Sequence, residues 1–314
     1  MKIPVNTGLF ASGSLRKQIN MNRCFPYLLL WPSVVLILAI SVIPSLNVFN
    51  LSLQNLNYSR LFEAGYAGLE NFKKLLTEDK QFINTIPITL KWVGLVVFFQ
   101  LFCGLFISLT HNESFKGRGL ARSIVFMPWA VSGVLTATLW SLMLNQHVGI
   151  LNDMLIKLGL IKENIAWVAN WKTVFGSVVA ADVWRGVPFF AIVLLASLQG
   201  IPNELYESSE IDGGSRFGKF WYITLPYLKD TIVLTTLLRC IWSFNAVDTI
   251  FTLTGGGPFY TTTTLSIYLV NTAVVGGNYG YGAAIAVVMF FVLVLFSILY
   301  TTLNKYGSGV DDAQ

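Results

Sequence analysis

Charge is scarce in this 314-residue sequence: 12% of residues are Asp, Glu, Lys or Arg, against 54% apolar. Soluble domains carry roughly 25% charged residues. Half that fraction cannot clothe a water-facing surface, so most of the outer surface must face lipid. Histidine and cysteine are also rare. Cys24, Cys103 and Cys240 lie far apart without CxxC or CxH spacing, and His111 and His147 are the only histidines. Neither a disulfide framework nor a zinc site is suggested. The net charge is +5, yet there is no basic run or basic face, which argues against nucleic acid as a partner. No H-E-x-x-H, G-x-S-x-G or plausible acid pair occurs, so a membrane-embedded hydrolase lacks its chemistry. Gly213-x4-Gly218-Lys219 imitates a phosphate-binding loop, but Phe220 stands where Ser or Thr would hold magnesium, and a helix precedes it where a strand is needed.

What the sequence has instead is long apolar runs. A bilayer-spanning helix needs about 20 largely apolar residues, and six stretches qualify: Tyr27–Phe49, Ile86–Thr110, Ser123–Leu144, Thr173–Leu198, Thr231–Leu253 and Tyr281–Leu303. The reading is an all-α integral membrane protein of six transmembrane helices. It divides into an N-terminal segment 1–26, a membrane domain 27–303 and a tail 304–314. Leu265–Val275 is too short and Thr-rich to span, and reads as a re-entrant or interfacial lead-in. The first stretch follows Arg16, Lys17 and Arg23 but is long for a signal peptide and lacks an A-x-A-like site, so a retained helix is expected. Lys and Arg in the short loops place both termini in the cytoplasm. On the outside, Leu69, Phe72, Leu75 and Leu76 fall at helical spacing, and a short helix is expected around Leu151–Leu158.

The most informative segment is cytoplasmic, from Ile201 through Ser215 and on to Leu225-Pro226. Pro202 suits a first helical turn, Glu204, Glu207 and Glu210 favour the early turns through the helix dipole, and Gly213 offers a left-handed stop. A short capped helix near 202–213, held between two spans, makes a rigid projecting knob; a plain solvated loop helix is the blander alternative.

Glu207-Ser208-Ser209, then Asp212-Gly213, then Ile223-Thr224-Leu225-Pro226 resembles the EAA signature of binding-protein-dependent ABC permeases. Ser replaces Ala at 208 and 209, a small-for-small change. Flanking stretches are similar to the carbohydrate-uptake branch, the maltose and glycerol-3-phosphate permease type: Gly68-Leu-Glu-Asn-Phe72, Phe126-Met-Pro128 with Trp140, Gly149 and Asn152, and Leu253-Thr-Gly-Gly-Gly-Pro258. The resemblance covers Tyr27 to Leu303. It implies a type I ABC importer permease fold, with Glu207, Ser208, Ser209, Asp212, Gly213, Leu225 and Pro226 forming a coupling helix that docks on a cytoplasmic ATPase. It further implies a second, similar permease (a heterodimer is favoured), two ATPase subunits that carry ATP and magnesium, and an extracytoplasmic sugar-binding protein. No catalysis and no cofactor is expected on this chain, and the location is the bacterial inner membrane.

Charged groups in lipid cost about 2.5–3.5 kcal/mol each on insertion scales, so Asp182, Arg185, Arg239 and Asp248 stand out. Asp182 and Arg185 lie three apart and can pair; Arg239 is placed to snorkel toward the cytoplasmic end of its span. A sugar path needs placed polar groups beside an aromatic ring. Asn245 and Asp248 are the leading candidates, with Trp184 and Arg185 behind them. The rival reading is an ion-gradient-driven transporter or channel using intramembrane acids as a relay; it leaves the EAA-like segment unexplained.

Overall fold

The computed structural model describes residues 26–307. All but Pro26 of the segment 1–26, and residues 308–314 of the tail 304–314, lie outside the described residues. The chain opens with helix α1, Pro26–Ser52, which contains one π turn at Leu38–Val42. A two-strand ribbon, β1 (Gln54–Asn55) against β2 (Gly65–Tyr66), leads to α2, Glu70–Thr77. The longest helix, α3, runs Lys80–Asn112.

The third apolar stretch is no straight rod. Helix α4 (Arg118–Phe126) ends in a 3-10 turn, Met127–Ala130, and α5 (Gly133–Met143) leaves at 102° to it. Pro128 and the extended Val131–Ser132 link interrupt the ladder, and the Ser132 hydroxyl accepts from Leu135 N to restart it. A short helix, α6, occupies Ile150–Lys157, close to the Leu151–Leu158 expected from the sequence. Helix α7, Val174–Leu198, then crosses back and packs along α3. The two approach closely at Gly104, where an added methyl would strike Phe190.

Beyond α7 come the short α8 (Asn203–Ile211) and α9 (Arg216–Lys219), and a π turn at Phe220–Thr224. Helix α10 follows at Leu225–Phe244, then α11 at Asp248–Thr254. Thus the expected span Thr231–Leu253 is broken. Its interruption is stabilised from elsewhere in the chain: Trp92 Nε1 donates to the Ser243 carbonyl (3.0 Å) and Ser266 Oγ to the Phe244 carbonyl (2.6 Å). Non-helical backbone at membrane depth is tolerated where protein groups satisfy it. Helix α12 (Leu265–Val270) and a π turn to Val275 form the short apolar piece that does not span. Helix α13, Tyr279–Gly307, closes the chain.

Among the described residues, four helices qualify as spans by length and apolarity: α1, α3, α7 and α13. The bent α4–α5 pair makes a fifth. Helix α10 is shortened by its break and carries Lys229, Asp230 and Arg239. The core lies where α3, α7, α10 and α12 meet. Trp92, Val96, Val178 and Ile267 fill one part, Phe190, Leu194, Leu198 and Leu228 a second, and Phe82, Phe244 and Leu265, with Ile285 of α13, a third. None of the most apolar stretch of α1 is buried. Its contact with the rest runs along α13, where Phe49 sets its edge against Phe290 and Phe291.

Candidate functional sites: a projecting helix and a polar cleft

Two constellations emerge at opposite ends of α10. At its N-terminal end, α8 has no fully buried residue, and only Tyr206 of its side chains packs against the core. Pro202 occupies the N-cap position, one residue ahead of the first turn it was expected to open, and Gly213 follows with φ +78° as the left-handed stop. Glu207, Ser208 and Asp212 are exposed, and Ser209 is half-buried.

Three attachments hold this helix. The Tyr206 hydroxyl meets Thr224 Oγ1 at 2.9 Å, Lys219 pairs with Glu210, and Gly214 N donates to the Ser209 carbonyl at 2.7 Å. The hydrogen bond from Lys219, and its charge, hold the Glu210 carboxyl below the ordinary value. That pairing also accounts for the lysine of the false phosphate-loop pattern. Around α8 lie exposed apolar side chains that the sequence pattern did not single out: Ile211, Phe217 and Tyr222. Leu225 is half-buried and Pro226 exposed, the proline sitting in the first turn of α10 where no amide hydrogen is required.

At the other end, the break after Phe244 opens into a cleft of about 390 Å³ lined by Trp129, Arg185, Arg239, Trp242, Asn245 and Asp248, among others. Three of the four substrate-path residues named from sequence, Arg185, Asn245 and Asp248, thus come together. The fourth, Trp184, does not line the cleft; it packs edge-on to Trp140 with 6.4 Å between ring centroids. The aromatic wall is built instead by Trp129 and Trp242, bridged by Phe189 at 6.5 and 5.1 Å. Asn245 donates one amide hydrogen to the Ile241 carbonyl (2.9 Å), which leaves its second hydrogen as a donor and Oδ1 as an acceptor. Asp248 lies against Gly133, where an added Cβ would come within 2.6 Å of its own.

Behind the cleft sits a buried ionic layer. Asp182, fully enclosed, receives Arg185 at 3.0 Å and Arg239 at 3.1 Å. Gln100 donates to the Asp182 carbonyl at 2.8 Å and accepts from Arg239 Nε, and Thr249 reaches Asp182 Oδ1 at 3.4 Å. The 182–185 pair is as the spacing implied. Arg239 does not snorkel: it turns inward, because Asp182 and Gln100 offer it acceptors at depth.

One cation within a long apolar helix escaped the sequence reading. Lys91 lies eleven residues into α3, about 16 Å along its axis, exposed and with its ammonium 4.6 Å from the Phe175 ring centroid. Among the described residues no three His, Cys, Asp or Glu side chains gather as a metal site.

Comparison with known proteins places this architecture. Residues 10–306 match the family described as "Binding-protein-dependent transport system inner membrane component", and the chain belongs to that family. It is accordingly a membrane component of a transport system and not an enzyme. It is 35% identical over 280 residues to the trehalose/maltose transport system permease protein MalF of Thermococcus litoralis, covering 89% of this chain and 93% of that one. It is 32% identical over 272 residues to the sulfoquinovosyl glycerol transport system permease protein SmoG of Agrobacterium fabrum, 86% of each chain. A solved structure described as a bacterial ABC transporter involved in the import of the acidic polysaccharide alginate superposes with a TM-score of 0.81 at 24% identity. That match covers 93% of this chain and 99% of the other, and the two share the fold.

Proposed function

We propose that this chain is one permease half of an ATP-driven sugar importer, with α8 docking on a cytoplasmic ATPase and the Trp129–Trp242–Asn245–Asp248 cleft touching the sugar in transit. The observation that carries it is the continuity of α10. This single 20-residue helix, about 30 Å long, starts where Tyr206 ties α8 to Thr224 and ends at Asn245 in the cleft. A push on α8 can therefore reach the cleft through the Tyr206–Thr224 contact and the unbroken length of α10. The exposed Ile211, Phe217 and Tyr222 supply an apolar surface for the ATPase, and the Glu207 carboxylate a polar anchor. The permease relatives named for sugars support the substrate class. The cleft chemistry agrees, with indole faces for sugar C–H surfaces and the Asn245 and Asp248 oxygens for hydroxyls.

In this reading α8 and both termini face the cytoplasm, and the N-terminal ends of α3 and α7 face outward. A second, similar permease completes the path, two ATPase subunits hold ATP and magnesium, and an external binding protein delivers the sugar. The chain itself carries no cofactor. A gradient-driven relay has one of its two candidate acids, Asp182, committed to two arginines, and it leaves the EAA-like segment unexplained.

The test is ATP hydrolysis by the complex purified with its native partners, wild type against Glu207→Lys. Loss of sugar- and receptor-stimulated hydrolysis together with weaker ATPase retention is expected. A Glu207→Lys complex that hydrolyses and transports normally, or a wild-type complex with no ATPase, would sink the assignment.

A further inference from the structure

A second cavity, of about 580 Å³, lies at the N-terminal ends of α3 and α7, at the far end of α7 from α8. It is lined by Gln81, Asn84, Lys91, Trp171, Lys172 and Tyr260, among others, and no carboxylate borders it. We propose that it is an outer vestibule that binds an anionic saccharide before the sugar reaches the inner cleft. The proposal rests on the importer reading, which makes this face the side of entry.

The cations carry the argument. Lys91 stands over the Phe175 ring at 4.6 Å and Lys172 over Trp171 at 5.4 Å. Ring faces hold an ammonium in place without neutralising it, so both charges stay available to a ligand. Lys91 is exposed and borders the cavity, immediately before the long apolar run of α3 that begins at Trp92, so its charge faces the space a ligand would fill. The cavity floor is thus positive, its walls are flat aromatic faces, and the Gln81 and Asn84 amides donate and accept. That combination suits a carboxylated or sulfated sugar ring and disfavours a cationic or purely apolar ligand.

The rim is an independent observation. Phe259 and Tyr260 border the cavity with φ of +51° and +61°, a region that residues other than Gly, Asn and Asp seldom occupy. The loop is held in that form by threonines: Thr261 Oγ1 donates to the Pro258 carbonyl (2.7 Å), Thr262 to Gly257 (2.9 Å) and Thr263 to Gly256 (2.8 Å). Phe259 is 85% exposed. Sterically disfavoured backbone that its surroundings enforce clusters at ligand clamps, and here it holds two aromatic rings at the mouth of a cationic pocket.

The experiment is a tryptophan-fluorescence titration of the full complex in lipid nanodiscs without the binding protein, using trigalacturonate and maltotriose as probes. Expected is a quench by trigalacturonate, lost in Trp171→Phe and at high salt, with affinity at least about tenfold above that for maltotriose. Lys91→Gln/Lys172→Gln should abolish the preference, Lys91→Arg/Lys172→Arg should keep it, and Lys162→Gln should change nothing. Equal affinity for the two sugars in wild type overturns the proposal. So does a Gln double variant that binds trigalacturonate normally. So does one whose only defect is weaker docking of the binding protein, since the cavity is then a protein-docking surface. ATPase retention is scored on the same preparation: its loss in wild type overturns the importer reading itself, a separate failure from any of these.

Discussion

Arg239 on α10 and Asp182 on α7 meet at 3.1 Å in a layer closed to solvent on both partners. One carboxylate there answers two guanidiniums, with Gln100 from α3 joining both sides. The layer ties together the three helices that frame the cleft, so its integrity sets the geometry of Trp242 and Asn245, which follow Arg239 on the same helix.

Removing the carboxylate should therefore cost far more than one hydrogen bond. Breaking a buried ion pair from one side costs about 3–5 kcal/mol, because the stranded charge stays buried. Asp182→Ala should lower the melting temperature of the detergent-solubilised protein sharply. Asp182→Leu/Arg239→Leu should recover more than half of that loss. A single variant that melts like wild type would remove the layer from the stability account.

Glycines on α7 provide a matched pair. A methyl at Gly186 would collide with Gln100 Nε2 and Arg239, whereas one at Gly176 meets nothing within 4 Å. Gly186→Ala should destabilise by about 1–3 kcal/mol through overpacking. Gly176→Ala should be neutral or stabilise by up to about 1 kcal/mol through helix propensity. Thermal melts of the two variants side by side decide the point.

A pH dependence follows from Asp79, the N-cap of α3. Its carboxylate accepts from Phe82 N at 2.9 Å and from the Tyr268 and Tyr281 hydroxyls at 2.6 Å each. Burial raises its pKa, but these hydrogen bonds together more than offset that, holding it below the ordinary 3.8. A depressed carboxylate contributes stability that is complete above its unfolded value and is lost as pH falls through its folded one. Melting temperature should therefore fall below about pH 4, and Asp79→Asn should show a smaller fall over that range. Identical profiles for the two proteins would contradict the assignment.

If the cleft touches the sugar as proposed, Asn245→Ala should remove one acceptor for a hydroxyl, a loss of about 1 kcal/mol or fivefold in apparent affinity. Trp242→Ala removes a ring face and should raise the transport KM by a similar factor or more. Trp184→Ala, outside the cleft, should leave KM unchanged. Uptake by proteoliposomes holding the whole complex measures all three.

How much of this was legible beforehand depended on where the determining groups lie. Helix α8 is bounded by Pro202 and Gly213, whose constraints are local, so its limits could be read within one or two residues. The cost of polar groups in lipid singled out Arg185, Asn245 and Asp248 one by one, but that they line one cleft came only with the fold. The break after Phe244 was hidden, because Thr231–Leu253 reads as a near-continuous apolar run and the groups that satisfy the break are Trp92 and Ser266, distant in sequence. Trp129 and Trp242 were invisible for another reason: aromatics are frequent here, and only the fold shows which of them face a cleft. Lys91 did carry a signal, a lone cation inside an apolar span, and it was overlooked.

The placement of α1 bears on how the chain is made. This helix leaves the ribosome first among the described elements, yet within the chain it leans mainly on α13, the last to be synthesised. Contacts so far apart in sequence form late, since the intervening chain must be complete before the ends can meet. For most of synthesis α1 is therefore a lone rod in lipid, open to chaperones, lipids or a neighbouring subunit. Truncations lacking α13 should accumulate with α1 undocked, and quality-control proteases would meet that end of the molecule before its own partner arrives.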